Sequence, residues 1–352
     1  RIVQPGNKRA TGGVMSGQQA LLKALAMVLA LMPATATYAH GGHGGSAQLQ
    51  RHNNDRTIAA QVYGGLHEDT GDVTITFYGN IAFEIISPRG VEVFIDPWRN
   101  DITGQYPPWY TRDMPIQRTD VGLVTHAHFD HDAVDRLHAD MVMERMAGVF
   151  RLADVKVTGI AEKHVCETQS DIEYRKIVKA AIDEDPCPPN ETLQWDNSLY
   201  VVETGGLRIL HWGDNRQNPP EHVWKMIGDV DIAILAVSDE GHILSQDWAD
   251  KVMKKVKANV VIPGHYYVEG VNIPGAYGLL PADEWVERHP HTLLDSHTIT
   301  LTADEVQKYD GHVFYFKDHV AFESGDGASG PPTVQPPLPE PARAWERFAP
   351  KE

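Results

Sequence analysis

Residues 125–132 read Thr-His-Ala-His-Phe-Asp-His-Asp, directly after the apolar run VGLV at 121–124. His126, His128, Asp130 and His131 offer neutral imidazole nitrogens and carboxylate oxygens, the donors that suit zinc, manganese or iron. His126 and His128 alternate, so both side chains can leave an extended segment on one side. Asp130 and His131 then turn around the start of the next element, read as a helix. Three histidines and an aspartate on so short an arc are too many for one tetrahedral ion. The spacing predicts a split, with His126 and His128 serving one ion and Asp130 and His131 a second. Each ion then needs ligands from elsewhere, at the ends of other strands. Three positions qualify: His164 after VKVTGIAEK, Asp214 after LRILHWG, and His265 after NVVIPG. His211, just before Gly213-Asp214, is the rival of His164 for the third imidazole. Loops just past strand ends are where α/β proteins build their sites.

The elements that must hold these residues begin near Asp72. VTITFYG, IAFEIIS and VEVFIDP read as an antiparallel meander, broken by Gly, Asn and Pro. VGLVT reads as a buried strand. In DAVDRLHADMVMERM, the spacing of Val134, Leu137, Met141 and Met146 predicts a helix. VKVTGIA, LYVVET, LRILHW, DIAILAV, ANVVIPGHY, residues 296–302 and HVFYF read as further strands, and SQDWADKVMKKVKA as a helix. Strands followed by strand–helix alternation occur in both halves, which predicts two α/β halves packed sheet on sheet with helices outside.

The chain has 352 residues and a formal net charge of −17, with 18 histidines and two cysteines. The acidic balance argues against nucleic acid or anionic lipid heads as partners. Residues 1–14 precede Met15 and read as an upstream extension. From Met15, a lone Lys23, an apolar run from Ala24 to Met32, Pro33 and the small-residue site Thr37-Tyr38-Ala39 lay out a signal peptide, with cleavage after Ala39. The apolar run is short for a bilayer span. Export to the periplasm or outside is expected, with no transmembrane anchor left after cleavage. Export also predicts a disulfide between Cys166 and Cys187, two unpaired thiols being the alternative. Residues 40–71 form a polar, Gly/His-rich leader. Cleavage would leave His40 at the amino terminus, where its two nitrogens suit copper; a plain polar tail is the other reading. Residues 321–352 are Pro-rich and cannot build a core.

HAHFDH matches the H-x-H-x-D-H signature of the metallo-β-lactamase-fold superfamily, and HWGD and IPGHY resemble its later motifs. FYGNIAFEII and VFIDP, with the motif order, resemble the ascorbate-6-phosphate lactonase-like hydrolases. N-acyl-phosphatidylethanolamine hydrolases of the phospholipase-D type are similar. The resemblance spans residues 72–320. It implies an αββα sandwich, two mixed β-sheets flanked by helices. It implies two divalent metal ions, zinc first and manganese or iron as alternatives. His126, His128 and His164 would hold one ion and Asp130, His131 and His265 the other, with Asp214 bridging. Asp130 and Asp214 would be the catalytic carboxylates. Asp96 would orient a ligand histidine, or simply form a turn before Pro97. Asp239 and His242 would sit on the rim.

Such a pair activates a water near neutral pH and needs no serine or cysteine nucleophile. The chain shows no G-x-S-x-G elbow, Walker loop or dinucleotide fingerprint. The expected activity is hydrolysis of an ester, lactone or phosphodiester through a bridging hydroxide. A non-catalytic metal-binding protein on the same fold is one alternative, and a true β-lactamase is another. The pocket walls should be the loop Tyr106-Pro107-Pro108-Trp109-Tyr110 and the segment after His265, which favour a small-molecule or lipid-like substrate. A phosphate substrate would call on Arg99, Arg112, Arg118 or Arg216. Oligomeric state is not legible.

Overall fold

A computed structural model describes residues 56–65, 67–104, 106–164, 195–238, 243–275 and 278–322. They belong to one compact unit, Asn53–Glu352. The signal peptide, His40, Cys166, Cys187, Asp239, His242 and the Pro-rich tail from residue 323 lie outside the described residues.

Two mixed sheets flanked by helices form the core. The first has six strands, in the order β13 (Thr298–Leu301), β1 (Val73–Phe77), β2 (Phe83–Ile86), β3 (Glu92–Ile95), β4 (Gln117–Val124) and β5 (Leu137–Glu144). The second has eight: β12 (His291–Leu293), β14 (His312–Tyr315), β11 (Val260–Gly264), β10 (Ile232–Ala236), β9 (Leu207–His211), β8 (Asn197–Thr204), β7 (Val155–Glu162) and β6 (Gly148–Leu152). The expected meander of β1, β2 and β3 is antiparallel. β9, β10 and β11 are parallel, and β10 and β11 are buried throughout. That is why IAILA and VVIPG carry no polar alternation. The sheets meet face to face through aromatic rings: Phe77 lies on Tyr266 and Phe316, and Phe83 on Phe316 and His211.

Residues 133–146 correct the helix expected there. Only Val134–Arg136 makes a turn of 3-10 helix, and Leu137–Glu144 is a strand parallel to β4, with Gln117 opposite Leu137 and Val124 opposite Glu144. Leu137, Ala139, Met141 and Met143 face inward while His138, Val142 and Glu144 are exposed. The segment therefore satisfies a period of two as well as one of 3.6, and its helix-forming Leu, Ala and Met are overridden by pairing with β4. Asp130 and His131 accordingly precede a strand, not a helix.

The polar leader also differs from expectation. A helix, α1, spans residues 56–63, with Ala60 in the core. Arg56 donates to Asp120 at 3.0 Å, and Thr57 to Asp140 at 2.7 Å. Among the described residues, the longer helices between the strands of the second sheet are α2 (Glu221–Ile227) and α3 (Gln246–Lys255). The latter is the expected SQDWADKVMKKVKA helix, capped by Ser245. Among the described residues, no helix is long and apolar enough to cross a membrane.

On β2, Glu84 is buried, and among the described residues its carboxylate accepts a long bond, 3.4 Å, from Tyr78. Burial, helped by the nearby Glu92, pushes its pKa up to about 7. The folded state thus binds this proton more tightly than the unfolded chain, so stability falls as pH rises from the ordinary carboxylate range to about 7. Denaturant titrations from pH 5 to 8 should find Glu84→Gln gaining on the parent by at most about 3 kcal/mol. A constant difference across that range would refute the assignment.

Candidate metal centre

Four of the candidate ligands come from one crossover. β4 and β5 are parallel, so residues 125–136 must carry the chain back across the sheet. Asp96, just past β3, organises the start of that crossover. Its Oδ1 accepts from the Thr125 backbone N–H at 2.8 Å, and its Oδ2 from the Thr125 hydroxyl at 2.8 Å. Its Oδ2 also lies 3.0 Å from His131 Nδ1. The Thr125 hydroxyl is 3.0 Å from His126 Nδ1. The outer nitrogens of His126 and His131 are therefore engaged, which turns each Nε2 inward. His126 Nε2 sits 3.0 Å from His128 Nδ1. The turn is closed by the N–H groups of His131 and Asp132, both donating to the His128 carbonyl at 2.8 Å.

The second sheet supplies the rest from the loops that follow β7, β9 and β11. His164 is placed by its N–H, which donates to Asp196 Oδ1 at 2.8 Å, and by a bridge to Asn215. Asp214 follows Gly213, which has φ of 55° and where a Cβ would lie 2.9 Å from the Thr125 side chain. Only glycine allows this approach of the two loops. His265 follows Gly264, where a Cβ would meet Ile81 at 2.8 Å. His265 itself has φ of 51°, and its N–H donates to Asn80 O at 2.6 Å. Asn80 (φ 51°) and Asp96 (φ 54°) are also left-handed, and Asn80 Nδ2 donates to the Asp130 carbonyl at 2.8 Å. Three non-glycine residues held at positive φ thus converge on one place, as at strained functional sites.

The result is two groups of donors. His126, His128, His164 and Asp214 form one; Asp130, His131, His265 and Asp214 form the other. Within each, the ligand atoms lie within 4.8 Å of one another. Asp214 Oδ2 is common to both, 3.8 Å from His126 Nε2, 3.6 Å from His164 Nε2, 3.3 Å from His131 Nε2 and 3.7 Å from His265 Nε2. All seven sequence candidates are brought together. His211 is not among them. It is buried in β9, 2.9 Å through Nε2 from the Ile81 carbonyl and 3.9 Å through Nδ1 from Asp96.

Electrostatics separates the histidines. Burial, with the neighbouring imidazoles, holds His126 and His128 below the ordinary range, His128 at about 4. Both are neutral at physiological pH, the state a metal ligand requires. Burial would also lower His131 and His265, but the carboxylates of Asp214 and Asp130 overcome it and raise both. Burial opposes ionisation of Asp130 and Asp214, yet the His131 charge, with His265, holds both well below the usual carboxylate range. Two buried carboxylates facing inward-turned imidazoles form a donor set for divalent cations, with protons on His131 and His265 standing where positive charge belongs.

The aromatic loop packs on the crossover through Phe129, which lies between His128 and Asp130. Trp109 packs on Phe129 with ring centroids 4.6 Å apart, and Tyr106 lies 5.6 Å from Phe129. The four arginines are engaged elsewhere. Arg99 pairs with Asp132 and Asp135, and Arg216 with Glu162. Arg112 covers the Phe322 ring, and Arg118 lies in the field of Arg56, Glu92 and Asp140. Thr125, Asn80 and Asp196 were not foreseen. Only the position of Thr125 directly before the HAHFDH block could have flagged it.

Asp96→Asn replaces an acceptor shared by Thr125 and His131 with an amide. Competition titration with a chromogenic chelator should show zinc affinity lowered about 10–100-fold at one of the two positions. Unchanged affinity at both would mean that Asp96 does not orient His131.

A family model described as a beta-lactamase superfamily domain matches residues 74–265. The chain is 26% identical over 227 residues to a UPF0173 metal-dependent hydrolase of Polynucleobacter asymbioticus, covering 56% of this chain and 75% of that one. It is 23% identical over 239 residues to a UPF0173 protein of Pyrococcus furiosus, covering 67% of this chain and 98% of that one. Among solved structures, it is similar to one from Thermotoga maritima described as a Zn-dependent hydrolase of the metallo-beta-lactamase superfamily. The TM-score is 0.48 and the identity 19%, over 69% of this chain and 98% of the other.

Proposed function

The chain belongs to the beta-lactamase superfamily, and from that premise we propose that it is a binuclear metal-dependent hydrolase acting on an ester or lactone bond. The observation that carries this reading is Asp214 Oδ2, which stands within 3.3–3.8 Å of four imidazole nitrogens drawn from both donor groups. His126, His128 and His164 would hold one divalent ion, Asp130, His131 and His265 the other, and Asp214 both. Five nitrogens and two carboxylates suit zinc. Such a pair supplies a water acidified to near neutrality and polarises the substrate oxygen.

The chain's own residues do the rest. Asp130 and Asp214 stay ionised across the physiological range and are placed to hold the protons of an attacking water. Asp96 and Thr125 fix the rings of His131 and His126 so that their Nε2 atoms stay turned inward. Trp109, Phe129 and Tyr106 offer an apolar wall, and Arg99, Arg112 and Arg216 are engaged with Asp132 and Asp135, with the Phe322 ring and with Glu162. Both features support an uncharged small-molecule or lipid-like ester over a phosphodiester. The signal-peptide layout ending at Ala39 supports action outside the cytoplasm. Matched lactone and phosphodiester substrates, given to the zinc-loaded chain with Asp214→Asn as background, test the reading. Lactone turnover alone is expected. Phosphodiester turnover alone would overturn the substrate class.

A further inference from the structure

Tyr110 closes the aromatic loop and is 1% exposed. Its ring lies on Trp98, with centroids 4.2 Å apart. Its backbone is pinned on both sides. The N–H donates to Asn100 Oδ1 at 3.0 Å, the carbonyl accepts from Asn100 Nδ2 at 3.2 Å, and the residue bridges Asn272. The hydroxyl has no hydrogen-bond partner among the described residues. Other core tyrosines do not behave this way. Tyr200 donates to Val124 O at 2.8 Å, Tyr266 to Lys317 O at 2.9 Å, and Tyr315 to Asp283 at 3.2 Å. A buried hydroxyl left without a partner is costly, and a bound ligand that accepts from it removes that cost.

Its surroundings point to that use. On one side, Trp98 donates to the Tyr78 carbonyl, and Asn80 two residues on holds the Asp130 carbonyl. On the other side, Asn272 belongs to the segment after His265, where its Oδ1 accepts from the Val268 N–H at 2.8 Å. Tyr110 is therefore wedged between the chain segments that carry Asp130 and His265. After burial itself, the charges that act on its hydroxyl are those of Asp130 and Asp214, and together they keep it protonated. It is a donor at every physiological pH, held in the field of two ligand carboxylates.

We propose that Tyr110 is a catalytic residue whose hydroxyl donates a hydrogen bond to the substrate oxygen that becomes negative on the Asp130–His131–His265 side of the centre. This rests on the hydrolase reading. The phenol keeps its proton throughout; it stabilises charge and transfers nothing.

Tyr110→Phe tests the proposal because it keeps the ring and removes only the hydroxyl. Three quantities are compared with the parent: the thermal midpoint of the metal-free chain, the affinity of the zinc-loaded chain for phenylphosphonate by calorimetry, and lactone turnover. Phenylphosphonate serves as a tetrahedral oxyanion carrying an apolar ring. The expected results are a metal-free midpoint equal to or above the parent's, phenylphosphonate affinity lowered about tenfold, and kcat lowered about 10²-fold with KM little changed. A lower metal-free midpoint would show that the hydroxyl has a structural partner and overturn the proposal. So would unchanged phenylphosphonate affinity, unchanged kcat, or a zinc-loaded parent that does not bind phenylphosphonate. A parent that binds phenylphosphonate but turns over no lactone counts against the hydrolase reading, and the loss of affinity in Tyr110→Phe then still supports the donor role.

Discussion

Asp214→Asn should lose lactone turnover by about 10³-fold or more, equivalent to roughly 4 kcal/mol of transition-state stabilisation, while the chain remains folded. Asparagine has almost the same shape, so the fully buried position after Gly213 is refilled without a cavity. It lacks the charge, however, and offers an amide where the carboxylate faces four imidazoles. The loss should therefore appear in metal content, falling from two bound ions to one or none, and in activity, but not in the circular dichroism spectrum. His164→Ala should remove one ion of the two, because the other group, Asp130, His131, Asp214 and His265, remains complete. Two ions and full turnover in Asp214→Asn would sink the shared-ligand assignment.

The second large effect concerns the ions themselves. Chelation should bring turnover to background and lower the thermal midpoint, since a ligand that binds only the folded state stabilises it by about 4 kcal/mol at a thousand times its Kd. The pH dependence of that gap has a definite sign. In the metal-free chain, the raised His131 and His265 hold protons more tightly folded than unfolded. Their contribution is fully present below the ordinary imidazole range and is lost as pH rises above about 6.5. In a loaded chain those protons would be displaced, so acid would compete with the ions and rising pH would favour the bound state. The difference in midpoint between loaded and chelated protein should therefore widen from pH 6.5 to 9. A gap independent of pH over that window would mean that His131 and His265 do not exchange protons for metal.

The donors of the centre were legible in the sequence because each lies immediately past a β-rich run, and four of them share the crossover after VGLV. Residue type and spacing were enough to predict two groups of donors and the strand ends at which the remaining ones would be found. The strands were legible too wherever apolar runs were bounded by Gly, Pro or Asn. By contrast, Leu137–Glu144 satisfied two periodicities at once, and its strand state comes from a neighbour twenty residues away in the chain. Residues 56–63 looked polar because their ties to the core are made by charge and hydrogen bonding, through Arg56 and Thr57, rather than by an apolar stripe.

Sequence by itself determined the chemistry available to this protein: which donors exist, that they cluster at strand ends, and that they suit divalent cations better than a serine or cysteine nucleophile. Tertiary structure decided which of them meet. His164 and His211 are both buried histidines beside strands, and nothing local separates them. Packing one sheet on the other turns His211 Nε2 toward the Ile81 carbonyl at 2.9 Å and leaves His164 Nε2 3.6 Å from Asp214. The orphaned hydroxyl of Tyr110 is likewise a property of packing, since satisfaction of a polar group depends on what the fold places around it and not on its neighbours in the chain.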